Sequence, residues 1–163
     1  MGLRDELGFP NPISTRAHEA LLNIFVTADL LGKEADRVVQ AFGLTRAQFD
    51  ILKILDHQNP DGSANQSTLG RMLVVNRSNV TGLVDRMERD GLVKRTGDPA
   101  DRRVKRIRMT PEGKKVFRKA DAAYVRRTQQ VVATLSPAEF EALCRMMEGI
   151  RASLRKTPAR KKA

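Results

Sequence analysis

The 163 residues suit one domain, or one compact domain with appendages, and a hydrophobic content of 40% excludes wholesale disorder. Lys and Arg number 30 against 19 Asp and Glu, and the net charge of +11 favours polyanionic partners, nucleic acid first and anionic membrane second. No apolar run approaches the roughly 18 residues that a membrane span needs, and a single cysteine, Cys144, excludes an intrachain disulfide framework.

Residues 1–13, "MGLRDELGFPNPI", carry acids instead of an apolar signal core and read as an arm in which Pro10 and Pro12 break any helix. Ser14 is placed to cap a long helix over 14–43. Its apolar stripe is Ala17, Leu21, Ile24, Ala28 and Leu31, and Gly43 is its stop. In "LTRAQFDILKILDHQ", Thr45 and Gln48 are spaced as a capping box, and Phe49, Leu52 and Leu55 make the buried face. "NPDGSAN" (59–65) reads as a turn-rich loop, and "QSTLGRML" as a short helix capped by Ser67. In "VNRSNVTGLVDRMERDG", Val80, Leu83, Val84 and Met87 fall at i, i+3, i+4 and i+7, with Asn76 as expected N-cap and Gly91 as stop.

The pattern then changes. "LVKRT" and "VKRIRM" read as short strands flanking "GDPADRR", with Ile107 and Met109 alternating against Arg106 and Arg108 as in a strand with one wet face. Thr110 and Pro111 begin another long helix that carries Val116, Phe117, Ala120, Tyr124 and Val131. Ser136, Pro137 and Glu139 form a second capping box. Beyond it, Phe140, Leu143, Met147, Ile150 and Leu154 step by threes and fours, a coiled-coil-like seam. The tail "RKTPARKKA" (155–163) is too polar to pack and is expected to be disordered.

Two short helices joined by a turn, the second polar at its start, form the helix-turn-helix pattern. Opposite its apolar face the second helix presents Arg77, Ser78, Asn79 and Thr81, where Arg can read guanine and Asn can read adenine. Gly82 would let the backbone approach a sugar or phosphate. A polar face alone is as often merely solvated; the basic hairpin directly after it shifts the balance to DNA.

The segment "NRSNVTGLVDRMERDGLVKRTGDPADRRVKRIRMTPEGKKVF", with "LTRAQFDILKIL" upstream, resembles the MarR family of bacterial winged helix-turn-helix regulators from about Leu44 to Phe117. The resemblance implies a mainly α fold with a small two- or three-stranded antiparallel β wing and long N- and C-terminal dimerisation helices. The expected division is an arm (1–13), a dimerisation helix (14–43), a winged helix-turn-helix (44–110), C-terminal dimerisation helices (111–154) and a basic tail (155–163). By resemblance, Asn76, Arg77, Ser78, Asn79, Thr81 and Arg86 would enter the major groove, with Gln66, Ser67 and Thr68 of the preceding helix beside them. The wing would reach the minor groove, where Asp101 would orient Arg103, with Arg102 and Lys105 on or near phosphates. The seam residues Phe140, Leu143, Met147, Ile150 and Leu154 would join two copies.

The function implied is a cytoplasmic, nucleoid-associated homodimer that represses from a pseudo-palindromic operator in double-stranded DNA and is released by a small phenolic or anionic effector. Arg16, His18 and Phe49 are position-based guesses for the effector pocket. The competing reading is a protein that coats nucleic acid without sequence preference. Cys144, beside the seam, is expected to be a buried structural thiol; some members of the family it resembles sense oxidants with a cysteine near the start of the first long helix, where this chain has none. His18 and His57 lie far apart, so no metal or other cofactor is expected. Asp85 and Glu88, between arginines, read as surface pairing. No phosphate-binding glycine loop or nucleophile elbow appears, which argues against an enzyme.

Overall fold

The computed structural model describes residues 2–57, 62–73, 79–98 and 104–156, in two units, Met1–Tyr124 and Val125–Ala163. In the first unit the arm does contain helix: α1 (Leu3–Glu6) is a single turn that precedes both prolines and buries Leu3. Helix α2 (Arg16–Gln40) is capped by Thr15, whose Oγ1 accepts the His18 backbone N–H at 3.1 Å. This corrects the expected Ser14, whose Oγ lies 3.1 Å from His18 Nδ1 instead. The helix stops at Gly43 as predicted: Gly43 donates to Gln40 C=O and Leu44 to Val39 C=O, which closes the last turn.

The capping box of α3 (Arg46–His57) forms as spaced, Thr45 N–H donating to Gln48 Oε1 at 2.8 Å and Gln48 N–H to Thr45 Oγ1 at 3.3 Å. The expected loop over 59–65 contains a strand, β1 (Ser63–Ala64), which pairs antiparallel with Arg108 and Ile107. Helix α4 (Gln66–Met72) is capped by Asn65 rather than Ser67; Asn65 Oδ1 accepts from Thr68 N–H at 2.8 Å. Then come α5 (Val80–Arg89), β2 (Val93–Gly97), β3 (Lys105–Met109) and α6 (Pro111–Val131), the last of which belongs to this unit as far as Tyr124. The sheet has the order β1-β3-β2, antiparallel throughout.

One core fills this unit. It takes Phe49, Ile51, Leu52 and Leu55 from α3, Leu69 from α4, Val80, Leu83, Val84 and Met87 from α5, Val93, Ile107 and Met109 from the hairpin, and Phe117 and Ala120 from α6. The expected faces of α3, α5 and β3 are all inside. Thr110 Oγ1 accepts Gly113 N–H at 2.9 Å as the predicted cap, and α6 there runs so close to the turn after α5 that a Cβ on Gly113 would lie 2.0 Å from the Leu92 carbonyl oxygen. By contrast, α2 buries only Ala35 and Val39 near its end. Of its expected stripe, Ala17, Leu21, Ala28 and Leu31 are exposed and Ile24 is half-buried; Phe25, outside that stripe, is 68% exposed.

In the second unit, α7 (Pro137–Lys156) opens on the predicted box: Ser136 donates through N–H and Oγ–H to Glu139 Oε2 at 2.8 and 2.7 Å. Those two donors hold the Glu139 carboxyl below its ordinary range. No residue of α7 is buried. Phe140, Leu143 and Leu154 of the seam are exposed, Met147 and Ile150 half-buried. Cys144, expected to be buried, is exposed in the single chain, where no residue of α7 is buried. Arg155 and Lys156, assigned to the tail, are the last residues of α7; the rest of the tail lies outside the described residues.

Candidate nucleic-acid interface

Helix α5 starts on Asn79, which adopts φ −141° and ψ 52° and turns its Oδ1 to the Gly82 N–H at 3.0 Å. This moves the expected cap from Asn76, which lies outside the described residues together with Arg77 and Ser78. It also changes the role read for Gly82. A Cβ there would sit 2.8 Å from Asn79 Oδ1, so the glycine makes room for the cap. Asn79, Thr81 and Arg86 are exposed, opposite the buried Val80, Leu83, Val84 and Met87. On α4, Ser67 is exposed and Gln66 and Thr68 are half-buried, with Thr68 Oγ1 accepting from Arg71 at 3.4 Å.

The hairpin is fixed at its base. Asp98 N–H donates to Val104 C=O at 3.0 Å, and Arg106 spans the sheet, giving Nε to Ser63 Oγ at 2.6 Å and a guanidinium nitrogen to Asp98 Oδ2 at 3.0 Å. Asp101, Arg102 and Arg103 lie outside the described residues; Lys105 is exposed at the start of β3, opposite Gly97. Asp85 and Glu88 do pair on the surface, both with Arg95 of β2. The ties through Arg95, Arg106 and Ser63 were not foreseen. The i, i+3 spacing of the two acids beside a nearby arginine is the signal that could have found the first.

The pocket guesses do not converge through any described contact. Arg16, with a 97% exposed side chain, reaches Glu19, and His18 bonds with Thr15 and Ser14. Phe49 is a core residue, its ring 5.8 Å from Phe117 and 5.0 Å from Tyr124. His57 has acidic neighbours that the sequence did not reveal, Asp56 and Asp121, each at 3.6 Å. Among the described residues no three His, Cys, Asp or Glu side chains group as a metal site.

Charge is unevenly divided along the chain. Residues 1–61 carry 6 Lys and Arg against 9 acids, and residues 62–163 carry 24 against 10. The cationic excess therefore begins with the helix-turn-helix. A helix pair followed by an antiparallel hairpin, packed on one core, defines a winged helix-turn-helix.

The MarR family model matches residues 44–105. The chain is 37% identical over 101 residues to the transcriptional activatory protein BadR of Rhodopseudomonas palustris, a match covering 62% of this chain and 58% of that one. It is 30% identical over 111 residues to the homoprotocatechuate degradative operon repressor of Escherichia coli, covering 68% and 73% respectively. Sco3205, a MarR family transcriptional regulator from Streptomyces coelicolor whose structure was solved in complex with DNA, shares the fold. Its TM-score is 0.75 at 24% identity, over 93% of this chain and 97% of that one. The chain belongs to the MarR family, whose members are transcriptional regulators and not enzymes.

Proposed function

We propose that the protein is a homodimeric repressor that binds a pseudo-palindromic operator and lets go of it when a small phenolic or anionic molecule binds. The observation that carries the DNA reading is α5. Its apolar face is fully used in the core, its opposite face offers Thr81 and Arg86 to the outside, and a braced basic hairpin follows directly. The Sco3205 complex supports duplex DNA as the partner.

The dimer reading, with 14–43 and 111–154 as its helices, is supported by the uncovered apolar residues of each unit, Phe25 in the first and Phe140, Leu143 and Leu154 in the second. A two-fold dimer needs half-sites about one helical turn apart, roughly 34–36 Å. The named repressor of an aromatic-acid operon supports both repression and a phenolic effector; BadR, an activator by name, makes the sign of regulation a matter for experiment. The protein would then act in the cytoplasm, at the nucleoid.

Selection of bound duplexes from a random pool tests this reading. A palindrome is expected, with a preference over random duplex of about 10³ or more at stated salt. Enrichment of no motif would favour the coating protein instead. Displacement of the selected duplex by a phenolic acid, followed by fluorescence anisotropy, tests the effector, and a reporter fused to the selected site gives the sign.

A further inference from the structure

We propose that Arg95 is a positioning residue, a strut that locks the wing to the recognition helix so that both meet DNA as one body. The proposal rests on the DNA-binding reading above. Asp85 and Glu88 stand three residues apart on α5 and therefore side by side. After the helix stops, the chain reverses and brings Arg95 back alongside them. Arg95 N–H donates to Glu88 Oε1 at 2.8 Å, one guanidinium nitrogen donates to Glu88 Oε2 and the other to Asp85 Oδ1. Backbone and side chain of one strand residue thus grip two carboxylates of the helix.

The backbone contact is available because β2 lies at the edge of the sheet, so an N–H directed away from β3 meets no other strand among the described residues. The side-chain contact needs a planar fork that can serve two acids at once, which arginine has and lysine lacks. From the other side, Gln48 of α3 donates to Asp90 at the end of α5 at 3.3 Å, so the C-terminal half of the helix is held twice. The Glu88 carboxyl is held below its ordinary range by the Arg95 backbone N–H first and the guanidinium second, as a made ion pair requires.

Position in a basic hairpin would suggest that Arg95 contacts phosphate. Its side chain is only 24% exposed, and both ends of its guanidinium are taken by carboxylates, whereas Arg86, Lys94 and Lys105 nearby are exposed. Simple polyelectrolyte reasoning and the strut give opposite signs for loss of the acids. Removing two negative charges should tighten binding to any duplex, while removing the strut should lower discrimination.

The experiment uses the full chain, titrated by anisotropy against its selected operator and a random duplex over a salt series. Failure of the unaltered protein to prefer the operator would defeat the DNA reading itself, before any variant is made. If it does prefer it, Arg95→Met should lower the operator-to-random ratio about tenfold or more, the size expected of lost charge-assisted bonds, with the salt dependence unchanged. Arg86→Ala should reduce the salt slope by about 1, as loss of a phosphate contact does. Asp85→Ala/Glu88→Ala keeps the arginine and should lower the ratio as well, which decides the matter if Arg95→Met does not fold. Arg95→Lys should restore little of the ratio. The strut is overturned if Arg95→Met reduces the salt slope like Arg86→Ala, if the acid-free double variant keeps its ratio, or if Arg95→Lys behaves like the unaltered protein.

Discussion

Helices α5 and α7 both carry apolar residues at three- and four-residue steps, and both start on a side chain that accepts a backbone N–H. In α5 the apolar residues Val80, Leu83, Val84 and Met87 are buried; in α7 none is. Helical periodicity reports that a face must be covered, and says nothing of whether the cover comes from the same chain or another. The α5 face is covered within its own unit, by α3, α4 and β2. The α7 face, like the first two-thirds of α2, has apolar area left over.

Substitutions of the same kind should therefore behave differently in the two regions. Phe49, 1% exposed between Phe117 and Tyr124, should break the first one. Phe49→Ala is expected to cost about 3–5 kcal/mol in urea unfolding. Gly113→Ala attacks the same core from the backbone, since the new methyl would meet the Leu92 carbonyl; a loss of about 1–3 kcal/mol or more is expected in the same assay.

Leu154→Ala, at a residue 71% exposed in the chain, should change the unfolding of an isolated protomer by no more than about 0.5 kcal/mol. In a dimer it should raise the dissociation constant measured by sedimentation. If neither dissociation nor the concentration dependence of melting changes, α7 is not the dimer seam. The smallest effect is at the α7 cap. Because the folded Glu139 carboxyl sits below its usual value near 4.5, its contribution is present above that pH and lost as pH falls through the lowered value. Thermal melts of Glu139→Gln and the unaltered chain should differ near neutrality and converge in acid.

Features set within a few residues were legible. Thr45 with Gln48, Thr110, Ser136 with Glu139, and the stops at Gly43 and Gly91 need only the local chain, and each is found where its spacing put it. Three caps moved because a second residue of capping type stands close by. Thr15 follows Ser14, Asn65 precedes Ser67, and Asn79 follows Asn76. Which of two such residues takes the cap depends on where the helix begins in the packed unit, which local spacing does not encode. β1 was missed because two residues form a strand only when β3, far along the chain, lies beside them. Arg95 and Arg106 were hidden by abundance: among 30 cations, composition cannot mark the ones that a carboxylate has claimed. Cys144 is exposed in the single chain for the reason α7 differs from α5, since a residue beside an apolar seam is buried only where the seam is covered.

The Glu88–Arg95 contact has a further effect, on self-association. An open sheet of three strands has two rims, and an unguarded rim can template strands from other molecules into fibres. Here one rim is β1, only two residues long, and the other has the Arg95 N–H occupied by the Glu88 carboxylate and so withdrawn from pairing with a further strand. The residue that aligns the wing thereby helps to keep crowded copies of a small, exposed sheet from adding to one another edge to edge.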